Sequence, residues 1–154
     1  MTEMTAHDVL WLLDLAGELG TKVWIDGGWA VDACLGRQTR NHADLDVALA
    51  RSDIDVMASA LRSRGYSTAA RNDSRSTNFA LGDAAGHEVD FHSAELYPPE
   101  SLAGSGEISG RAVACVGPEW LVRFHSGYEL DGTDRADVLA LCARFAILVP
   151  AEYR

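Results

Sequence analysis

Asp44-Leu45-Asp46-Val47-Ala48-Leu49 alternates with a period of two, which an extended strand satisfies and a helix does not. Leu45, Val47 and Leu49 fall on one face; Asp44, Asp46 and Ala48 fall on the other. Two carboxylates at i and i+2 of one strand point the same way, close enough to share hard cations through oxygen ligands. Like charges side by side on a sheet are destabilising without a counterion, so the fold must bring something positive to that face. Spacing alone is unspecific, because Asp53-Ile54-Asp55 repeats it. There, however, the run to Arg64 has a helical period, and acids in a first helical turn are favoured by the dipole, with Ser52 or Asp53 as the expected cap.

What precedes the acidic strand sharpens the reading. Val23-Trp24-Ile25 is a short apolar strand ending in Asp26-Gly27-Gly28, and Trp29 to Leu35 reads as a helix closed by Gly36. Paired glycines let the backbone approach a phosphate closely, and the N–H groups opening the next helix supply donors and a favourable dipole. By itself the pair also fits a plain tight turn. A third acid, Asp90, lies in His87-Glu88-Val89-Asp90-Phe91-His92, where Val89 and Phe91 face the core and Glu88, Asp90 and His92 face away. Alone it fits an exposed sheet face. Together, a glycine turn, two carboxylates about 16 residues later and one more on a later strand match what phosphoryl transfer requires.

Elsewhere the pattern predicts a helix from Thr5 to Leu19 stopped by Gly20, and a strand from Tyr66. Asn78–Leu81 and Glu88–Ser93 bracket a turn and predict a hairpin. A polar stretch from Ala69 to Thr77 and a Pro- and Gly-rich stretch from Tyr97 to Gly110 read as loops, followed by a strand over Arg111–Val116. Helices are predicted from Pro118 to about Ser126 and from Asp134 to Leu148. That order predicts one α/β (α+β) domain over residues 1–154, with a mixed or antiparallel sheet flanked by helices. No apolar run is long enough to span a bilayer, and the polar start does not read as a secretory signal. Cys34, Cys115 and Cys142 are odd in number and widely spaced, which suits buried thiols in a reducing cytoplasm better than disulfides or zinc. With 13 basic against 23 acidic residues, the net charge of −10 makes the chain a poor general binder of nucleic acid. It suits metal cations or a cationic small molecule.

The run from Ile25 to Val47 resembles the opening of the small antibiotic nucleotidyltransferases. These are the short-type lincosamide nucleotidyltransferases and the related aminoglycoside 2''-nucleotidyltransferases of the DNA polymerase β-like superfamily. The likeness extends to Val89-Asp90-Phe91-His92, to Phe124-His125-Ser126-Gly127-Tyr128, and to Asp134 and Asp137. It implies the nucleotidyltransferase fold, with nucleoside monophosphate, AMP by preference, moving from a triphosphate such as ATP to a hydroxyl of a lincosamide or aminoglycoside. By the same resemblance Asp44, Asp46 and Asp90 hold Mg2+, two ions in all, and Asp90 is also the catalytic base. Gly27 and Gly28 hold phosphate. Arg40 and His42 either contact the triphosphate or order their loop; His125 and Tyr128 touch the acceptor or order its site. Asp26 and Asp32 are read as structural and Trp29 as core. A homodimer is implied, the partner copy completing each acceptor site. Two other readings stay open: a nucleotidyltransferase that modifies a macromolecule, and a non-catalytic nucleotide-binding module.

Overall fold

The structure is a computed structural model that describes residues 2–69, 78–125 and 132–154. Chain order gives α1 (Ala6–Glu18), β1 (Trp24–Asp26), α2 (Gly27–Leu35), β2 (Asp44–Leu49), α3 (Arg51–Arg62), β3 (Ser67–Ala69), β4 (Asn78–Gly82) and β5 (Glu88–Ser93). Short 3-10 turns at Ala94–Leu96 and Pro99–Leu102 lead to β6 (Gly104–Ile108), β7 (Arg111–Cys115), α4 (Pro118–Phe124) and α5 (Gly132–Phe145), and a last one covers Ala151–Tyr153.

The seven strands form one sheet in the order β3-β4-β5-β2-β1-β7-β6. It is mixed, as expected: β2 runs parallel to β5 and β1 parallel to β7, while the remaining pairs are antiparallel. The alternation read in β2 holds, since Leu45, Val47 and Leu49 are fully buried. Val89 and Phe91 of β5 join them in the core, with Val9, Leu12 and Leu15 from α1 and Ile54, Met57 and Leu61 from α3. Helix α1 starts in a capping box in which Thr5 and Asp8 satisfy each other's backbone N–H.

Three local expectations are corrected. The stretch from Tyr97 to Gly110 is not mostly loop, because Gly104–Ile108 is a strand paired to β7. Its glycines serve close packing: a Cβ on Gly106 would collide with the Ala33 carbonyl of α2, and one on Gly104 would meet the Cys115 carbonyl at 2.5 Å. Helix α3 is entered through Ala50 with no side-chain cap, not through Ser52 or Asp53. Helix α5 ends at Phe145, with Ala146 in the left-handed region, short of Leu148. The Ala69–Thr77 reading falls, but for Ala69, outside the described residues. All three cysteines are free thiols. Among the described residues no helix is long and apolar enough to cross a membrane.

Candidate active site

Strand register lines up the acids. Asp26 of β1 sits opposite Asp46 of β2, and Asp46 sits opposite Asp90 of β5, so three adjacent strands each present a carboxylate at one level of the sheet. Asp44, one pleat along β2, shares the face. Carboxylate oxygens of Asp44, Asp46 and Asp90 come within 4.8 Å of one another, and among the described residues this is the one cluster able to hold a metal ion. The donor set is all carboxylate oxygen, which suits a hard divalent cation, and three anions this close repel one another until a cation joins them. Asp90 is the deepest, 9% exposed.

Helix α2 begins at Gly27 itself, so the glycine pair is its first turn and not a turn before it. Gly27 has φ +62°, and a Cβ there would strike the Asp46 carboxylate, so only glycine brings this helix start against the acidic strand. A Cβ on Gly28 would lie 2.6 Å from Arg40 Nη2 and 2.6 Å from His42 Nδ1. The two candidate residues of the 37–43 loop therefore pack directly on the glycine turn.

They do so differently. His42 is 3% exposed, and its Nε2 lies 2.6 Å from Asp32 Oδ2, with the ring tilted against Trp29 at 4.7 Å between centroids. Asp32 also accepts a 2.5 Å bond from the Thr39 hydroxyl. Burial alone would raise the Asp32 carboxyl, but the bonds from His42 and Thr39 outweigh it and hold the group below its ordinary value. His42 thus orders the loop from beneath. Arg40 remains partly exposed beside Gly28, its guanidinium 3.0 Å from Asp137 of α5. Trp29 is core, as expected.

Two neighbours of the acids, His92 and Tyr97, were assigned no role from sequence, and a third, Asp26, was read as structural. Asp26 caps α2 by accepting a 2.8 Å bond from the Gly27 N–H, and its other oxygen accepts a 2.6 Å bond from the Tyr97 hydroxyl. Burial raises the Asp26 carboxyl, opposed by those two bonds, and burial with the nearby Asp26 charge pushes the Tyr97 phenol well above its usual range. His92 places Nε2 3.2 Å from Asp46 Oδ1. Burial would lower the imidazole, but the bond and charge of Asp46, with Asp26 and Asp90 nearby, raise it. The signal for His92 was its place two residues from Asp90 on the same face; Tyr97 gave none, being 71 residues from Asp26.

His125 closes α4, with Nδ1 2.7 Å from the Leu121 carbonyl and Nε2 3.7 Å from Asp134. Its own carbonyl accepts a 2.5 Å bond from buried Tyr153, so it braces the C-terminal elements. Tyr128 lies outside the described residues.

A mixed sheet with aligned acids on adjacent strands, beside a helix opened by glycine, is the arrangement expected of a nucleotidyltransferase. Solved structures share the fold. The lincosamide antibiotic adenylyltransferase LnuA, lincomycin-bound, superposes with TM-score 0.78 at 23% identity over 91% of this chain and 98% of its own. ANT(2'')-Ia in complex with adenylyl-2''-tobramycin superposes with TM-score 0.75 at 22% identity over 90% of this chain and 88% of its own. In sequence, a lincosamide resistance protein of Staphylococcus haemolyticus is 25% identical over 88% of this chain and 92% of its own length. A 2''-aminoglycoside nucleotidyltransferase of Klebsiella pneumoniae is 41% identical, over 34% of this chain and 32% of its own. The family model for aminoglycoside-2''-adenylyltransferases matches residues 8–98 and 96–141, and the chain belongs to that family of enzymes.

Proposed function

We propose that this chain transfers AMP from ATP to a hydroxyl of a small-molecule antibiotic, a lincosamide or an aminoglycoside, in a magnesium-dependent reaction. The observation that carries the reading is the convergence of Asp44, Asp46 and Asp90 within 4.8 Å, set against the glycine start of α2. Those three residues would hold Mg2+ through carboxylate oxygens, two ions in this reading. When bound, magnesium neutralises charge on the triphosphate.

The chain's own groups supply the rest. Asp90 takes the proton from the acceptor hydroxyl as its oxygen bonds to the α-phosphorus, and the bond from that phosphorus to the pyrophosphate oxygen breaks. Gly27 and Gly28, opening α2, receive the pyrophosphate at a helix N-terminus. Arg40 contacts phosphate from beside Gly28, and His42 acts at one remove by holding the loop that carries Arg40. His125 and Tyr128 order the acceptor side. Catalysis here is positioning and electrostatics. The same proposal takes residues 1–154 as one catalytic domain, a homodimer as the working form and the cytoplasm as its place of action, with no nucleic-acid or membrane partner.

Mass spectrometry tests it directly. Lincosamides and aminoglycosides are incubated with the protein, magnesium and each of the four nucleoside triphosphates. The reading requires a magnesium-dependent gain of one nucleoside monophosphate, AMP in particular, on a member of either class. No gain on any of them would remove antibiotics as acceptors.

A further inference from the structure

Beside the carboxylate cluster opens a cavity of about 280 Å³ lined by Asp26, His92, Leu96, Tyr97, Pro98 and Phe124. It is continuous with the acidic face, since Asp26 lies opposite Asp46 and His92 is bonded to Asp46. An acceptor whose hydroxyl reaches Asp90 has this cavity as a neighbouring wall.

That wall is apolar. Leu96 is 71% exposed although it belongs to a large aliphatic type, and Phe124 is also exposed. Tyr97 and Phe124 meet edge to face with centroids 5.9 Å apart, and Trp120 backs Phe124 at 6.0 Å. The aromatic surface is therefore braced on both sides. Solvent-facing apolar groups clustered beside a polar site mark a ligand surface. Among the described residues the cavity is lined by one carboxylate, and it is already engaged, Asp26 accepting from Gly27 N–H through one oxygen and from Tyr97 through the other. The described side chains of this wall therefore offer a ligand apolar contact more than charge pairing.

We propose that Leu96, Tyr97, Pro98 and Phe124 form the acceptor-specificity wall, and that it takes the alkyl-bearing ring of an amphipathic amino-sugar antibiotic of lincosamide type in preference to a polycationic aminoglycoside. The inference rests on the antibiotic-nucleotidyltransferase reading and selects the acceptor within it. At about 280 Å³ the cavity holds one substituted ring, leaving the sugar hydroxyls to face the acids.

The test compares kcat/KM with ATP and magnesium for lincomycin and tobramycin, in the wild type, Leu96→Ser and Phe124→Ser. Both substituted side chains are exposed, which limits harm to folding. Lincomycin is expected to be the better acceptor, and each substitution to raise its KM roughly tenfold, the loss expected for one large apolar contact. The KM for ATP should not follow. Calorimetric binding of lincomycin without ATP, weakened by the same factor in both variants, gives a readout independent of turnover. Preferential modification of tobramycin would overturn the wall's assignment while leaving the transferase reading intact. Lincomycin turnover and binding insensitive to both substitutions would overturn it too. Absence of transfer to either antibiotic would overturn the wall's assignment, and absence across the full panel of antibiotics and triphosphates would overturn the reading on which it rests.

Discussion

The Tyr97 hydroxyl donates a 2.6 Å hydrogen bond to Asp26 Oδ2, and this one bond ties the segment ahead of β6 to the cap of the glycine-opened helix. Asp26 holds Gly27 with its other oxygen, so Tyr97 acts on the glycine turn through Asp26. Tyr97→Phe keeps the ring and removes the donor. Urea unfolding should show a loss of about 1–2 kcal/mol, the cost of orphaning one half-buried acceptor. The KM for triphosphate should rise in the same variant, because a loosened cap leaves the first turn of α2 less fixed. An unaltered midpoint would mean the bond contributes nothing to the fold.

Gly27 admits no side chain for two separate reasons. Its φ of +62° disfavours any L-residue by about 1–2 kcal/mol, and its Cβ would displace the Asp46 carboxylate. Gly27→Ala should therefore unfold more easily than wild type by at least that amount. It should also lose more than 90% of turnover, since a misplacement near 1 Å can cost roughly a hundredfold. Gly20→Ala is the control: its φ is also positive, but nothing lies within 4 Å of its Cβ. It should share the backbone cost and keep its turnover.

Much of this was readable in the chain because it is local. The period of two in β2 puts Leu45, Val47 and Leu49 inward and both acids outward, whatever the rest of the protein does. Asp90 followed the same rule on β5. What was not readable is set by tertiary register. Nothing near Asp26 announces that it will stand opposite Asp46, or that Tyr97 will close on it. Gly104 and Gly106 misled because glycine marks both loops and close packing, and only the tertiary neighbours, Cys115 and Gly117 beside Gly104 and Ala33 of α2 beside Gly106, separate the two. Ala50 could not have been named as the start of α3, since a helix entered without a side-chain cap leaves no sequence mark.

Removing metal should divide the three acids by role. Magnesium at about a hundred times its Kd should stabilise the wild-type protein by about 2.7 kcal/mol against unfolding, an effect reversed by chelator. Asp46→Asn should blunt that response and weaken magnesium-dependent triphosphate binding. Asp90→Asn should retain the binding yet lose roughly a hundred- to ten-thousandfold in kcat, the usual worth of a general base. Thermal melts with and without magnesium, read beside single-turnover rates, separate the two. Full turnover in Asp90→Asn would remove it as the base.

Asp32 gives the pH dependence a definite sign. Its carboxylate accepts from Thr39 and is bonded to His42 while 2% exposed, and these bonds hold its folded pKa below the ordinary value. The unfolded chain therefore binds the proton more tightly, so Asp32 stabilises the fold fully above about pH 4, its unfolded value. That contribution fades as pH falls through the lower folded value. Asp32→Asn should cost about 2 kcal/mol at pH 7, where the charge-assisted bonds are complete, and the gap to wild type should narrow as pH falls below about 4, the unfolded value. Urea midpoints at pH 7, 5, 4 and 3 follow it. A gap that stays constant to pH 3 would assign the stabilisation to the shape of the side chain instead of its charge, and with it the ordering of the loop that carries His42 and Arg40.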